Sequence, residues 1–331
     1  MTLRFMDGFD HYATAQLLNK WTATAGTTIS SSYGRFGQGA GTSNNLRKSF
    51  EKLDTWIVGC AIRVTTLDNA KPVLVFMNSD AGWYQCSLYI LTTGQLQARR
   101  SNDQVLWTSD AALAINTWYY LEAKVYIHDS AGTFEVRLNE QVVIDLSGVD
   151  TRSWASSSGA DIVCFFGGGG GVIHYDDIYI CDTAGTVNND FLGDCRVECL
   201  FPTGAGSSDD FTPSAGDNYQ NVNETTPDGD TTYNESETVG HKDLFAYGNL
   251  ATTAGTVHGV QTCLWAKKDD AGARSLGARV YSNATEGDGA SNSLGTSYAY
   301  YFDIFETEPS DSLAWEIADV NAAEFGYEVT A

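Results

Sequence analysis

The sequence predicts an all-β protein: an antiparallel β-sandwich, an extended polar arm and a second, smaller β-sandwich domain. Three observations carry this. Short apolar runs and period-two alternations recur along the chain, while long helical patterns are scarce. Gly is abundant (33) and Pro rare (5), which suits many strands joined by tight turns. The composition also breaks sharply at Asp182, where DIVCFFGGGGGVIHYDDIYICD gives way to TAGTVNND. The expected division is 1–184 sandwich, 185–250 arm and 251–331 C-terminal β-domain.

Residues 3–9 begin the first strand at once, and 13–20 follow as a short helical segment. Residues 22–45 are rich in Gly, Ser and Thr and read as loops around one weak strand. WIVGCAIRV (56–64) and residues 72–77 are apolar enough for buried strands. Residues 84–91 and 95–99 form a hairpin across Thr92-Thr93-Gly94. Residues 105–108 add a short strand. In WYYLEAKVYI (118–127), Tyr119, Leu121, Ala123, Val125 and Ile127 share one face, as in a half-exposed antiparallel strand. Residues 134–138 and 142–146 make a hairpin around Asn139-Glu140-Gln141. Residues 162–166 and 172–181 close the domain on either side of the Gly167–Gly171 run. Adjacent Asp176 and Asp177 are expected on opposite faces of the last strand.

Beyond it, residues 192–201 read as a strand and 242–247 as a short element. Residues 201–239 show little apolar periodicity, which is unusual for a connector of that length. An arm so polar cannot order itself, so a neighbouring subunit is expected to order it, with Phe201, Phe211, Tyr219 and Tyr233 as its contacts. Strands return at 257–267, 275–281 and 296–306, then a helix at 317–323 and a last strand at 324–329.

The formal net charge of −23 disfavours nucleic acid and anionic lipid as partners. No apolar run of about 18 residues suggests a membrane span, and no secretory leader is visible at the start. The seven Cys are odd in number and mostly lie in apolar runs, so buried free thiols are expected.

The order of DGFD, WIVGCAIRV, WYYLE, FEVRLNEQVVIDLSG and YDDIYICD resembles the concanavalin A-like lectin/glucanase jelly roll over residues 1–184. That resemblance implies neighbouring first and last strands. GDCRVECLFPTGAGSSDDFTPS, TTPDGDTTYNES and an ending with Trp315, Asp319-Val320-Asn321 and Gly326 resemble a module of tailed-bacteriophage structural proteins. The resemblance implies a multi-copy virion component, a capsid decoration or tail-associated protein made in the bacterial host cytoplasm. Its expected partners are copies of itself, with a trimer first among closed rings, and other virion proteins. A glycan- or receptor-binding adhesin module with a host-surface glycan as partner is the alternative, and a polysaccharide-degrading enzyme a weaker one.

For chemistry, a glycosidase needs two carboxyl groups about 5–9 Å apart. The Glu-x-Asp-x-x-Glu spacing of the glucanase branch is missing, so no enzymatic activity is expected. No cofactor is expected beyond a structural Ca2+, for which Asp7, Asp10, Asp176 and Asp177 are the candidate ligands if the first and last strands are neighbours. Trp83, Trp107 and Trp154 are the candidate sugar-stacking residues.

Overall fold

The structure, a computed structural model, describes residues 2–80, 83–101, 104–153, 158–168 and 171–331, without the side chain of Trp83. Strand accounts for 53% of the chain and helix for 5%, as the all-β reading requires. The chain forms two compact units, Met1–Val197 and Glu198–Ala331.

The first unit holds β1 (Leu3–Asp7), β2 (Ala23–Ser30), β3 (Gly39–Leu53), β4 (Thr55–Val64), β5 (Lys71–Asn78), β6 (Trp83–Ile90) and β7 (Gln95–Arg100). It continues through β8 (Gln104–Ala112), β9 (Trp118–Tyr126), β10 (Gly132–Leu138), β11 (Gln141–Val149), β12 (Ala160–Phe166) and β13 (Ile173–Cys181). A 3-10 turn, Thr14–Gln16, and α1 (Leu17–Lys20) follow β1. Neighbouring strands run in the order β11-β10-β9-β4-β13-β3-β12-β5-β6-β7-β8, with β1 also on β13 and β2 on β3. All the pairings are antiparallel.

This ribbon folds over into two layers. β11, β10, β9, β4 and β13 form the first; β12, β5, β6, β7 and β8 form the second. β3 passes from one to the other, since Ala40–Thr42 pair with β13 and Asn45–Leu53 with β12. Between the layers sits an apolar core that includes Trp21, Trp56, Phe76, Phe134, Phe165 and Tyr175, all fully buried. Tyr175 on β13 donates its hydroxyl to the carbonyls of Val73 and Phe166 at 2.8 and 2.7 Å, and its ring lies 5.3 Å edge-on to Phe165. These contacts tie the layers together with the buried hydroxyl satisfied.

The second unit contains β14 (Pro202–Asp209), β15 (Thr212–Pro213), β16 (Asn234–Glu235), β17 (Lys242–Tyr247), β18 (Val260–Ala266) and β19 (Ser275–Ser282). β20 (Thr285–Ser293), β21 (Ala299–Phe305), α2 (Ile317–Ala322) and β22 (Glu324–Val329) complete it. Its main sheet runs β14-β17-β22-β19-β20, with β18-β21 as a separate ribbon. Val280, Trp315, Val320 and Phe325 form one cluster; Phe211, Leu276 and Val329 form another.

The expected arm is thereby corrected. Residues 185–197 belong to the first unit, where Leu192 N donates to Tyr179 Oη, Gly193 N to Glu122 and Val197 N to Asp177. They form no strand, contrary to expectation for 192–201. Residues 202–209 form β14, an edge strand paired with β17 of the same unit. Phe211 is buried against Leu276, Val329 and Tyr327, so this chain supplies its contacts. Phe201 and Tyr219 are half-buried, and Tyr233 is exposed. Low periodicity misled here because the sheet is held by backbone pairing and polar anchors. Asp243 is one, accepting from Asp210 N, Phe211 N and Asn218 Nδ2.

Candidate functional site

The outward face of the second layer carries side chains suited to a polar polymer. Inward residues of β6 and β7 such as Leu88, Ile90, Leu96 and Ala98 are buried in the core. Their alternates, Ser87, Tyr89, Gln97 and Arg99, therefore project from the opposite face, where Ser87, Tyr89 and Gln97 are buried and Arg99 is half-buried. Register sets Tyr89 opposite Gln97, and Gln97 opposite Thr108 on β8. The Arg99 guanidinium lies 3.8 Å from the Tyr89 ring centroid, a cation–π contact. Arg99 Nε donates to Gln97 Oε1 at 2.7 Å, and Gln97 Nε2 donates to Thr108 Oγ1 at 2.9 Å. The relay fixes both the amide orientation and the arginine fork.

Farther along the same face, Val75, Met77, Cys164 and Phe166 form a cluster with Tyr84 and Ile162. Burial pushes the Tyr84 phenol above its ordinary pKa, helped by Cys164 and Tyr89 and opposed by Arg47. The same burial raises the Cys164 thiol to about 12, so this cysteine is packing rather than a nucleophile.

Of the proposed stacking residues, Trp107 lies on the edge strand β8, opposite Ala98, and is 55% exposed. The Trp83 side chain and all of Trp154 lie outside the described residues. The sequence reading missed Tyr89, Gln97 and Arg99. The predicted 84–91/95–99 hairpin contained the signal, because its turn sets Tyr89 across from Gln97.

The four aspartates proposed as Ca2+ ligands are held by the protein itself. Asp7 is buried and accepts from Phe9 N (3.0 Å), Lys20 Nζ (3.0 Å), Trp21 Nε1 (2.8 Å) and the Tyr12 hydroxyl. Asp10 accepts from Gln38 N at 2.7 Å. Asp176 and Asp177 reach the same loop, contrary to the opposite-face expectation. Asp177 adopts φ 49°, and the β13–β4 register shifts between Asp176 and Tyr179. Asp176 Oδ2 accepts from Arg35 N and Phe36 N, while Asp177 Oδ2 accepts from Arg35 Nε at 2.8 Å. Among the described residues, no group of three or more His, Cys, Asp or Glu side chains could hold a metal ion.

At the rim of the first layer, His174, Arg63 and Trp118 occupy adjacent register positions on β13, β4 and β9. Burial, then the Arg63 charge, pushes His174 down to about 4. Its folded pKa is therefore below the ordinary value of about 6.5, and the unfolded chain takes up the proton first. The stability that neutral His174 contributes is full above about pH 6.5 and declines as pH falls toward 4. The stability difference between wild type and His174→Asn, measured by urea unfolding, is expected to shrink across that window. A difference independent of pH would refute the assignment.

No family model matches the chain, and no curated protein matches it. Solved structures with a similar arrangement include alginate lyase Aly36B (12% identity, 54% of this chain, 96% of that chain, TM-score 0.40). A sialidase matches at 11% identity over 55% of this chain and 19% of its own, with TM-score 0.40. Carbohydrate-binding module CBM66 from Bacillus subtilis matches at 11% over 48% of this chain and 96% of its own, with TM-score 0.32. Likeness at this level concerns the fold alone. The expectation of no enzymatic activity is nonetheless corrected. An alginate lyase and sialidases stand among these neighbours, against that expectation.

Proposed function

We propose that the first unit engages a glycan across the outward face of its second layer. The observation that carries this is the Tyr89–Arg99–Gln97–Thr108 relay, which holds a half-buried guanidinium in a fixed direction against an aromatic ring. Sugar hydroxyls need such fixed polar groups.

A panel of neutral and uronate-containing oligosaccharides, followed by NMR, tests the reading. One or more members should shift the signals of Tyr89, Gln97 and Arg99. Arg99→Ala should weaken that binding about tenfold or more, as expected for loss of a charged hydrogen-bonding group. Polymer length in the same incubations reports cleavage. A panel that leaves those signals unmoved would refute the proposal. The tailed-phage virion reading is a separate proposal, carried by the motifs of residues 185–331 alone.

A further inference from the structure

The chain has 42 acidic and 19 basic side chains, and many of its arginines pair with a carboxylate. Arg35, Arg100, Arg137, Arg152, Arg274 and Arg279 each ion-pair with an Asp or Glu. Arg63 is set differently. Among the described residues, no carboxylate forms an ion pair with it. Its Nε donates to His174 Nδ1 at 3.0 Å, and its Nη2 lies 2.7 Å from the same atom. Nη2 also donates to the Ser32 carbonyl at 2.7 Å. The guanidinium carbon lies 5.0 Å from the Trp118 ring centroid, and the Tyr33 ring leans on His174 with centroids 4.6 Å apart.

Every one of these partners is neutral at neutral pH. His174 must accept at Nδ1, so its proton sits on Nε2, and burial keeps the imidazole uncharged. The protein thus fixes the direction of the guanidinium while leaving its charge uncompensated. Arg63 and Trp118 are only half-buried, so this charge is within reach of solvent. A rigid, uncancelled guanidinium fork is an anion receptor, and its planar geometry matches a carboxylate. The adjoining indole and phenol rings supply the apolar flank that a sugar ring requires.

We infer that the Arg63–His174–Trp118 rim of the first layer is a binding site for a carboxylated sugar, a uronate unit of a polysaccharide. The site lies on the other layer from the Tyr89–Arg99 face and goes beyond the function proposed above.

Trigalacturonate and its methyl ester are the probes, with NMR of the Trp118 and His174 side chains as the readout. The acid is expected to shift both signals and the neutral ester to bind at least about tenfold more weakly. Arg63→Ala should abolish the preference for the acid. Arg63→Lys keeps the charge and the stem without the fork, and should also lose about tenfold in affinity at an unchanged melting temperature. If Arg63→Ala fails to fold, the lysine variant decides. Arg99→Ala should leave the Trp118 and His174 shifts intact. Equal binding of acid and ester, no binding of the acid, or full affinity in Arg63→Lys would each overturn the inference. Loss of uronate binding in Arg99→Ala with retention in the Arg63 variants would place the uronate on the second layer, sinking this inference while leaving the proposed function standing.

Discussion

Replacing Lys20 with methionine is expected to destabilise the first unit by about 3–5 kcal/mol, the range for stripping one partner from a buried ion pair. Lys20 is 2% exposed, Asp7 is fully buried, and their charged atoms lie 3.0 Å apart. Burial by itself would raise the Asp7 pKa. Lys20, His11, the Tyr12 hydroxyl and the Phe9 amide overcome that and hold it below the usual carboxylate value. Methionine fills the space of the lysine stem but strands the carboxylate among Phe5, Phe9 and Trp21. Asp7→Asn in the same background should recover part of the loss, because the amide oxygen still accepts from one of the two donors, Trp21 Nε1 or Phe9 N, without a buried charge. Urea unfolding followed by tryptophan fluorescence measures both. A Lys20→Met loss under about 1 kcal/mol would show that Asp7 already ionises comfortably without its lysine.

Gly326→Ala should be nearly as severe in the second unit. Gly326 lies mid-strand in β22, between β17 and β19. An added Cβ would sit 1.9 Å from the Asp243 carbonyl oxygen and 3.0 Å from Leu244 Cα. Both are backbone atoms of a paired strand, so no side chain can swing aside. Relief requires the β17–β22 pairing to open, at a cost of about 3 kcal/mol, the upper end for inserting a carbon into a packed site. Calorimetry should show the second unit melting lower; an unchanged melt would mean that β17 can yield.

The elements legible in the sequence are those with strong apolar burial, on one face as in β10 or along the whole strand as in β4 and β13. β4, β9, β10 and β13 alternate or run apolar because one layer face meets the core, and β1 lies beside β13 as expected. β2 and β3 were hidden. Their Gly, Ser and Thr residues pack without hydrophobic periodicity, through contacts such as the 2.9 Å bond from Thr27 Oγ1 to Thr42 Oγ1 and the fit of Gly41 against Tyr33. β20 (TEGDGASNS) was hidden for the same reason. The acidic pair was misread because strict alternation fails where Asp177 turns to positive φ. The Tyr89–Arg99 relay was within reach of hairpin register. The Arg63–His174 contact was not, because it joins positions 111 apart through the β4–β13 pairing.

The crossing strand β3 has a mechanical consequence. Because one continuous stretch of backbone is hydrogen-bonded into both layers, the layers share a stave and cannot part like the halves of a clasp. Shear applied to one layer is handed to the other through the peptide bonds of residues 42–45, which are covalent, rather than through side-chain packing alone. A force applied to the outward face of the second layer would therefore load the whole sandwich at once.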